Sequence, residues 1–178
     1  MSLWKWEKVY EVSWSVMKSW NFTTTGSTNP DFKRGVDYIG VSVAFVCHDG
    51  EGKVLLNKRS VNCRDEQGRW DNGGGSMEFG ETFEQCLVRE LKEEYCVEPE
   101  AFEHIGTFNN LREHDGKTTH WICVVYAVKV DPSKVQNGEP HKIDEFGWFS
   151  PEALPSPQHS CLQRAMQMLK EAKIFSRK

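Results

Sequence analysis

A helix over Thr82–Tyr95 would carry three carboxylates side by side, and the chain around it has to accommodate them. At about 100° per residue, Glu90, Glu93 and Glu94 fall within roughly 100° of arc. Like charges at i, i+3 and i, i+4 destabilise a helix unless a positive charge sits among them. The natural candidate is a hard divalent cation, which takes carboxylate oxygens as ligands. On the neighbouring face Leu87, Val88, Leu91 and Tyr95 recur at helical spacing and form a stripe that can pack into a core. Ahead of the helix, Gly73, Gly74, Gly75 and Gly80 permit tight backbone conformations and bring the main chain close to whatever the carboxylates hold. Arg89 follows Glu81 by eight residues and precedes Glu93 by four, so its guanidinium can tie a loop carboxylate to the helix.

The flanking sequence alternates between strand and turn signals. Ile39, Val41, Val43 and Phe45 alternate with smaller or polar residues, which predicts a half-buried strand over Tyr38–Cys47. HDGEGK then turns the chain, and Val54-Leu55-Leu56 continues as a second strand. Beyond the acidic helix, Glu103–Phe108 predicts a short strand and Asp115-Gly116 a turn. Trp121–Val130, rich in β-branched and aromatic residues, suits a central strand, and Phe146–Phe149 a last one. Ser150-Pro151 and Ser156-Pro157 each place a capping residue before a proline; the second is expected to open a terminal helix with Leu162, Ala165, Met168, Leu169 and Ala172 on one side.

Composition narrows the class. A chain of 178 residues, 38% of them hydrophobic, can bury one sizeable core without subdivision. The net charge of −4 gives no basic face for a nucleic-acid polymer. The six cysteines lack CxxC spacing and the histidines are scattered, which fits reduced thiols and argues against a disulfide frame or zinc. Cys86 reads as a small core hydrophobe, since no adjacent histidine would activate it. No apolar run approaches the roughly 20 residues that span a bilayer, and the first residues lack the layout of a secretion signal. The expectation is a cytoplasmic protein without a membrane partner, and a homodimer is left open. Residues 1–36 stand apart as an N-terminal arm dense in tryptophan (Trp4, Trp6, Trp14, Trp20), which could cover the sheet or a partner subunit, lie on a membrane surface, or stack on a substrate base.

The stretch GSMEFGETFEQCLVRELKEEYCV resembles the signature of the Nudix hydrolases, G-x5-E-x7-R-E-U-x-E-E-x-G-U, where U is a bulky apolar residue. Gly75, Glu81, Arg89, Glu90, Leu91, Glu93, Glu94 and Val97 match it, while Cys96 stands in place of the second glycine. The resemblance implies an α/β (α+β) fold, an α/β/α sandwich around a mixed sheet, with residues 37–178 as a single domain closed by the C-terminal helix. It further implies hydrolysis of a phosphoanhydride in a nucleoside diphosphate-linked substrate, most directly a nucleoside triphosphate cut to monophosphate and pyrophosphate. An ADP-ribose or nucleotide-sugar pyrophosphatase is the alternative, and a non-catalytic binding module a further one. Carried over by position, Glu93 and Glu94 would hold Mg²⁺, with Mn²⁺ as the substitute. Glu90 would be a ligand or the base, with a backbone carbonyl from Gly74 or Gly75. Glu81, Arg89 and Gly75 would organise the loop. A further acid is expected from Glu139, Asp144 or Glu145; Glu139 is favoured by its spacing to Trp148, against a solvated acidic loop. Arg59 resembles an arginine that contacts substrate, against an exposed charge ending a strand.

Overall fold

In a computed structural model, residues 32–114 and 116–176 are described, and the tryptophan-rich arm expected over residues 1–36 lies almost wholly outside them. One mixed sheet forms from β1 (Gly40–His48), β2 (Val54–Arg59), β3 (Trp70–Asp71), β4 (Gly73–Ser76), β5 (Ala101–His114), β6 (Lys117–Lys129) and β7 (Ile143–Phe149). Its spine runs β3-β2-β1-β6-β5, with β4 paired to β1 and β7 to β2. The centre is parallel: β1 runs beside β6 from Gly40 opposite Trp121 to His48 opposite Lys129. The other pairings are antiparallel.

Helix α1 (Phe83–Tyr95) covers one face and α2 (Leu162–Glu171) the other. The period of two along the central strands divides the core between them. Val43, Phe45, Cys47, Val124, Tyr126 and Val128 meet Leu87, Leu91 and Tyr95 of α1. Val46, Val125 and Ala127 meet Leu162, Ala165, Met168 and Leu169 of α2. The half-buried strand expected at the start is therefore a strand buried on both faces, as a parallel sheet centre requires. Ile39, placed inside that strand by alternation, lies before it and is exposed.

Three further expectations are corrected. The strand after α1 is not short: it runs 14 residues, because β6 offers it a partner from Ala101 opposite Lys129 to His114 opposite Lys117. The glycine run is not a loop but strand β4, with Gly73, Gly74, Gly75 and Ser76 opposite Phe45, Ala44, Val43 and Ser42. Ser156-Pro157 does not open α2, whose N-cap is Cys161 without a side-chain bond. Residues 157–159 instead run alongside β3, where Pro157 O accepts from Trp70 N at 2.8 Å and His159 N donates to Trp70 O at 2.8 Å.

Candidate active site

Helix α1 starts where Thr82 caps it. The Thr82 hydroxyl accepts from Gln85 N, and the Gln85 side chain accepts from Thr82 N. Cys86, Leu87, Leu91 and Tyr95 are fully buried on the sheet, which turns Glu90 and Glu94 toward β4 and leaves Glu93 half exposed beside Arg89. The glycines of β4 are small because that helix lies so close. A β-carbon on Gly75 would stand 1.9 Å from Glu90 Oε1, and one on Gly73 would stand 2.2 Å from the Phe45 ring and 2.6 Å from Glu94 Oε2. Gly74 N donates to Glu94 Oε2 at 3.2 Å.

Arg89 joins the parts. Its Nε and Nη2 grip both oxygens of Glu81, at 2.6 and 3.0 Å, and Nη2 also donates to Ser76 O at 3.1 Å. Its Nη1 lies 2.7 Å from Glu90 Oε1 and 3.3 Å from Glu93 Oε2. The Arg89 hydrogen bond holds the Glu81 carboxyl below the usual carboxylate range. Burial pushes Glu90 upward, aided by Glu93 and Glu139. Glu94 is pushed well above its ordinary value, by burial first and then by Glu90, with Glu139 and Asp71 adding to it.

These groups line one side of a cleft of about 590 Å³. Glu139 reaches it from the segment before β7, which is fastened to α1 where Gly138 N donates to Glu94 O at 2.9 Å. Asp144 and Glu145, the other candidates for a further acid, lie exposed on β7. Arg59 also lines the cleft, but its guanidinium faces inward to Asp65 Oδ1 at 2.8 Å and Asp71 Oδ2 at 3.4 Å, so it does not end its strand as an exposed charge. The cysteines are thiols; Cys86 is buried and its pKa is pushed up to about 12 by burial, so it stays protonated.

A second cluster lining the cleft was not read from the sequence. It holds Asp65, Asp71, Arg112, Trp121 and His159, brought together from five segments. Burial raises Asp65, but Arg112, Arg59 and Arg64 outweigh it and hold its carboxyl low. Asp71, buried with less compensation, is pushed up to about 7. Burial drives His159 down to about 4, so its ring is neutral near pH 7. Its contacts join segments up to 94 residues apart, as between Glu66 and Ser160.

Whether the residues suit a divalent ion can be judged from their chemistry. Glu90, Glu93, Glu94 and Glu139 supply hard oxygen donors, and those of them that are withdrawn from water raise one another's pKa, which is the repulsion a cation relieves. The donor set fits. It is not prearranged, however: among the described residues no three acidic, His or Cys side chains stand together as a ready metal site. Arg89 takes one oxygen each of Glu90 and Glu93, and Lys142 takes Oε1 of Glu139 at 2.6 Å.

An α+β sandwich with carboxylates packed on a glycine strand and lining a cleft is an enzyme scaffold, and comparison with known proteins defines which one. The NUDIX domain model matches residues 39–169. A CTP pyrophosphohydrolase of Escherichia coli is 31% identical over 112 residues, covering 63% of this chain and 77% of the relative. An ADP-ribose pyrophosphatase of Methanocaldococcus jannaschii is 32% identical over 96 residues, 54% of each. The MutT Nudix hydrolase of Burkholderia pseudomallei superposes with a TM-score of 0.66 at 25% identity, covering 73% of this chain and 97% of that one. The chain belongs to the Nudix family and is a hydrolase of the pyrophosphohydrolase kind. Among the described residues no helix is long and apolar enough to cross a membrane.

Proposed function

We propose that this hydrolase cleaves nucleoside triphosphates to nucleoside monophosphate and pyrophosphate with the help of Mg²⁺, or Mn²⁺ in its place. One observation carries the reading: Glu90, Glu93 and Glu94 of α1 and Glu139 of a distant segment line the same wall of one cleft. Glu93, Glu94 and Glu139, with the Gly74 backbone beside Glu94, are the residues that would hold the ion. A bound divalent ion would neutralise phosphate oxygens and lower the pKa of a water. Glu90 is suited to receive the proton of the attacking water, because its carboxylate lines the cleft beside the residues that would hold the ion. Arg89 keeps Glu90 oriented through the 2.7 Å bond. Glu81 anchors Arg89 in turn, so the loop before α1 and the helix hold one geometry. The second cluster would take the nucleoside: Trp121 offers a ring, and Asp71 and neutral His159 offer hydrogen-bonding groups.

The CTP pyrophosphohydrolase relative, most of which this chain covers, supports a triphosphate. The ADP-ribose pyrophosphatase relative favours the second reading, hydrolysis of ADP-ribose. Incubation with Mg²⁺ and a panel of nucleoside triphosphates, oxidised nucleotides, ADP-ribose and dinucleoside polyphosphates decides between them. Pyrophosphate released from one triphosphate supports the first reading, AMP with ribose phosphate the second. A panel without turnover rejects both.

A further inference from the structure

The cleft must accept a polyanion beside a wall of carboxylates, so the basic side chains that line it matter. Four do so among the described residues: Arg59, Arg64, Arg112 and Lys142. Arg59 is held by Asp65 and Asp71, and Arg112 by Asp65 and Glu66. Arg64 lies 3.6 Å from Asp65 and over the ring of Trp121. Lys142 alone stands on the carboxylate wall, with Nζ 2.6 Å from Glu139 Oε1 and half of its side chain exposed.

The main chain fixes where this ammonium starts. Lys142 N and Ile143 N both donate to Glu139 O, at 2.8 and 2.9 Å, closing a turn over residues 139–143. On one side Ser60 N donates to Lys142 O, and Ser60 Oγ and Asn62 Nδ2 donate to His141 O, tying the turn to the segment after β2. On the other side the Gly138 backbone lies against α1 so closely that a β-carbon would stand 2.0 Å from Glu93 O. The turn is clamped on both sides, while half of the Lys142 side chain stays exposed to solvent. The Glu139 side chain is only 17% exposed while that of Lys142 is half exposed, so of the two it is the ammonium, still in contact with water, that can exchange one anionic partner for another.

We propose that Lys142 is a substrate-binding residue that grips the pyrophosphate portion of the substrate. Its ammonium leaves Glu139 when that carboxylate turns to a divalent ion, and pairs with phosphate oxygens instead. This rests on the triphosphate reading above, but its test does not need turnover. The full chain, K142Q and K142R are titrated calorimetrically with inorganic pyrophosphate in the presence of Mn²⁺, and Mn²⁺ affinity is measured alone by electron paramagnetic resonance. K142Q is expected to bind pyrophosphate about tenfold more weakly or worse, as loss of a charge-assisted contact implies, and K142R to recover most of it. Mn²⁺ affinity of K142Q is expected to hold or tighten, because Glu139 loses a competing cation. With a triphosphate, KM rises in K142Q and kcat stays within about threefold. Should K142Q unfold in a thermal melt, K142M takes its place.

Equal pyrophosphate affinity in the folded variant overturns the proposal, as does a wild type that binds no pyrophosphate. A parallel loss of Mn²⁺ affinity also overturns it, since Lys142 would then only hold Glu139 in place. If the substrate panel shows no turnover while pyrophosphate binding still depends on Lys142, the substrate reading fails and the anion grip stands.

Discussion

Cys96 is the C-cap of α1 and sits in left-handed backbone at φ 53°, a conformation in which a β-carbon costs roughly 1 kcal/mol. The position that departs from the Nudix signature is thus one where glycine has a backbone reason to be. C96G is expected to stabilise the chain by about 0.5–1 kcal/mol in thermal or urea unfolding and to leave kcat/KM within about tenfold. A loss of stability would show that the Cys96 thiol contributes more by packing than its backbone costs. Glu93 is exposed and, among the described residues, pairs with Arg89, so E93Q should fold normally, yet lower kcat by at least about a hundredfold through weakened metal-assisted catalysis. Unchanged kcat at saturating Mg²⁺ would remove Glu93 from the site. Asp71 carries a pH signature. Its folded pKa is raised to about 7, so the stability it contributes is complete below its unfolded value and is lost as pH rises through about 7. The melting temperature should fall between about pH 4 and about pH 7 in the wild type, and fall less in D71N.

At the scale of elements, the meeting of α1 with β4 decides the site. Gly75 has ordinary backbone angles, so alanine there is not strained by conformation, but its β-carbon would stand 1.9 Å from Glu90 Oε1. Glu90 would swing away from Arg89 and out of the cleft. G75A is therefore expected to lose about a hundredfold in kcat while its melting temperature changes by only a few degrees. A variant with full activity would mean that Glu90 works equally well displaced. The same contact explains why a run of glycines pairs as a strand against β1: with no side chains to clear, β4 can lie between β1 and the carboxylates of the helix.

Across the whole molecule, the carboxylates couple stability to ions and to pH. Glu90 and Glu94 have raised folded pKa values, so without a cation the stability they contribute is lost as pH rises above the usual carboxylate range. The proposed divalent ion would bind the ionised form and reverse the trend. Differential scanning calorimetry should show Mg²⁺ raising the melting temperature more at pH 8 than at pH 5, and E94Q should lose most of that increment. An increment that is independent of pH would place the ion elsewhere.

The sequence alone determined α1, its apolar stripe and its acidic face, because helical periodicity and the spacing of Arg89 from Glu81 and Glu93 are local facts. It also showed the core strands, whose β-branched runs are local too. It placed Glu139 near the site only through likeness of spacing, and it took β4 for a loop, since a strand of glycines carries no periodic signal. The second cluster in the cleft belonged to tertiary structure entirely. Asp71 and His159 lie far apart along the chain, and their pKa values move in opposite directions only once β3 and residues 157–159 pair and withdraw both from water. Burial is a property of the assembled sheet and helices, and no stretch of sequence encodes it by itself.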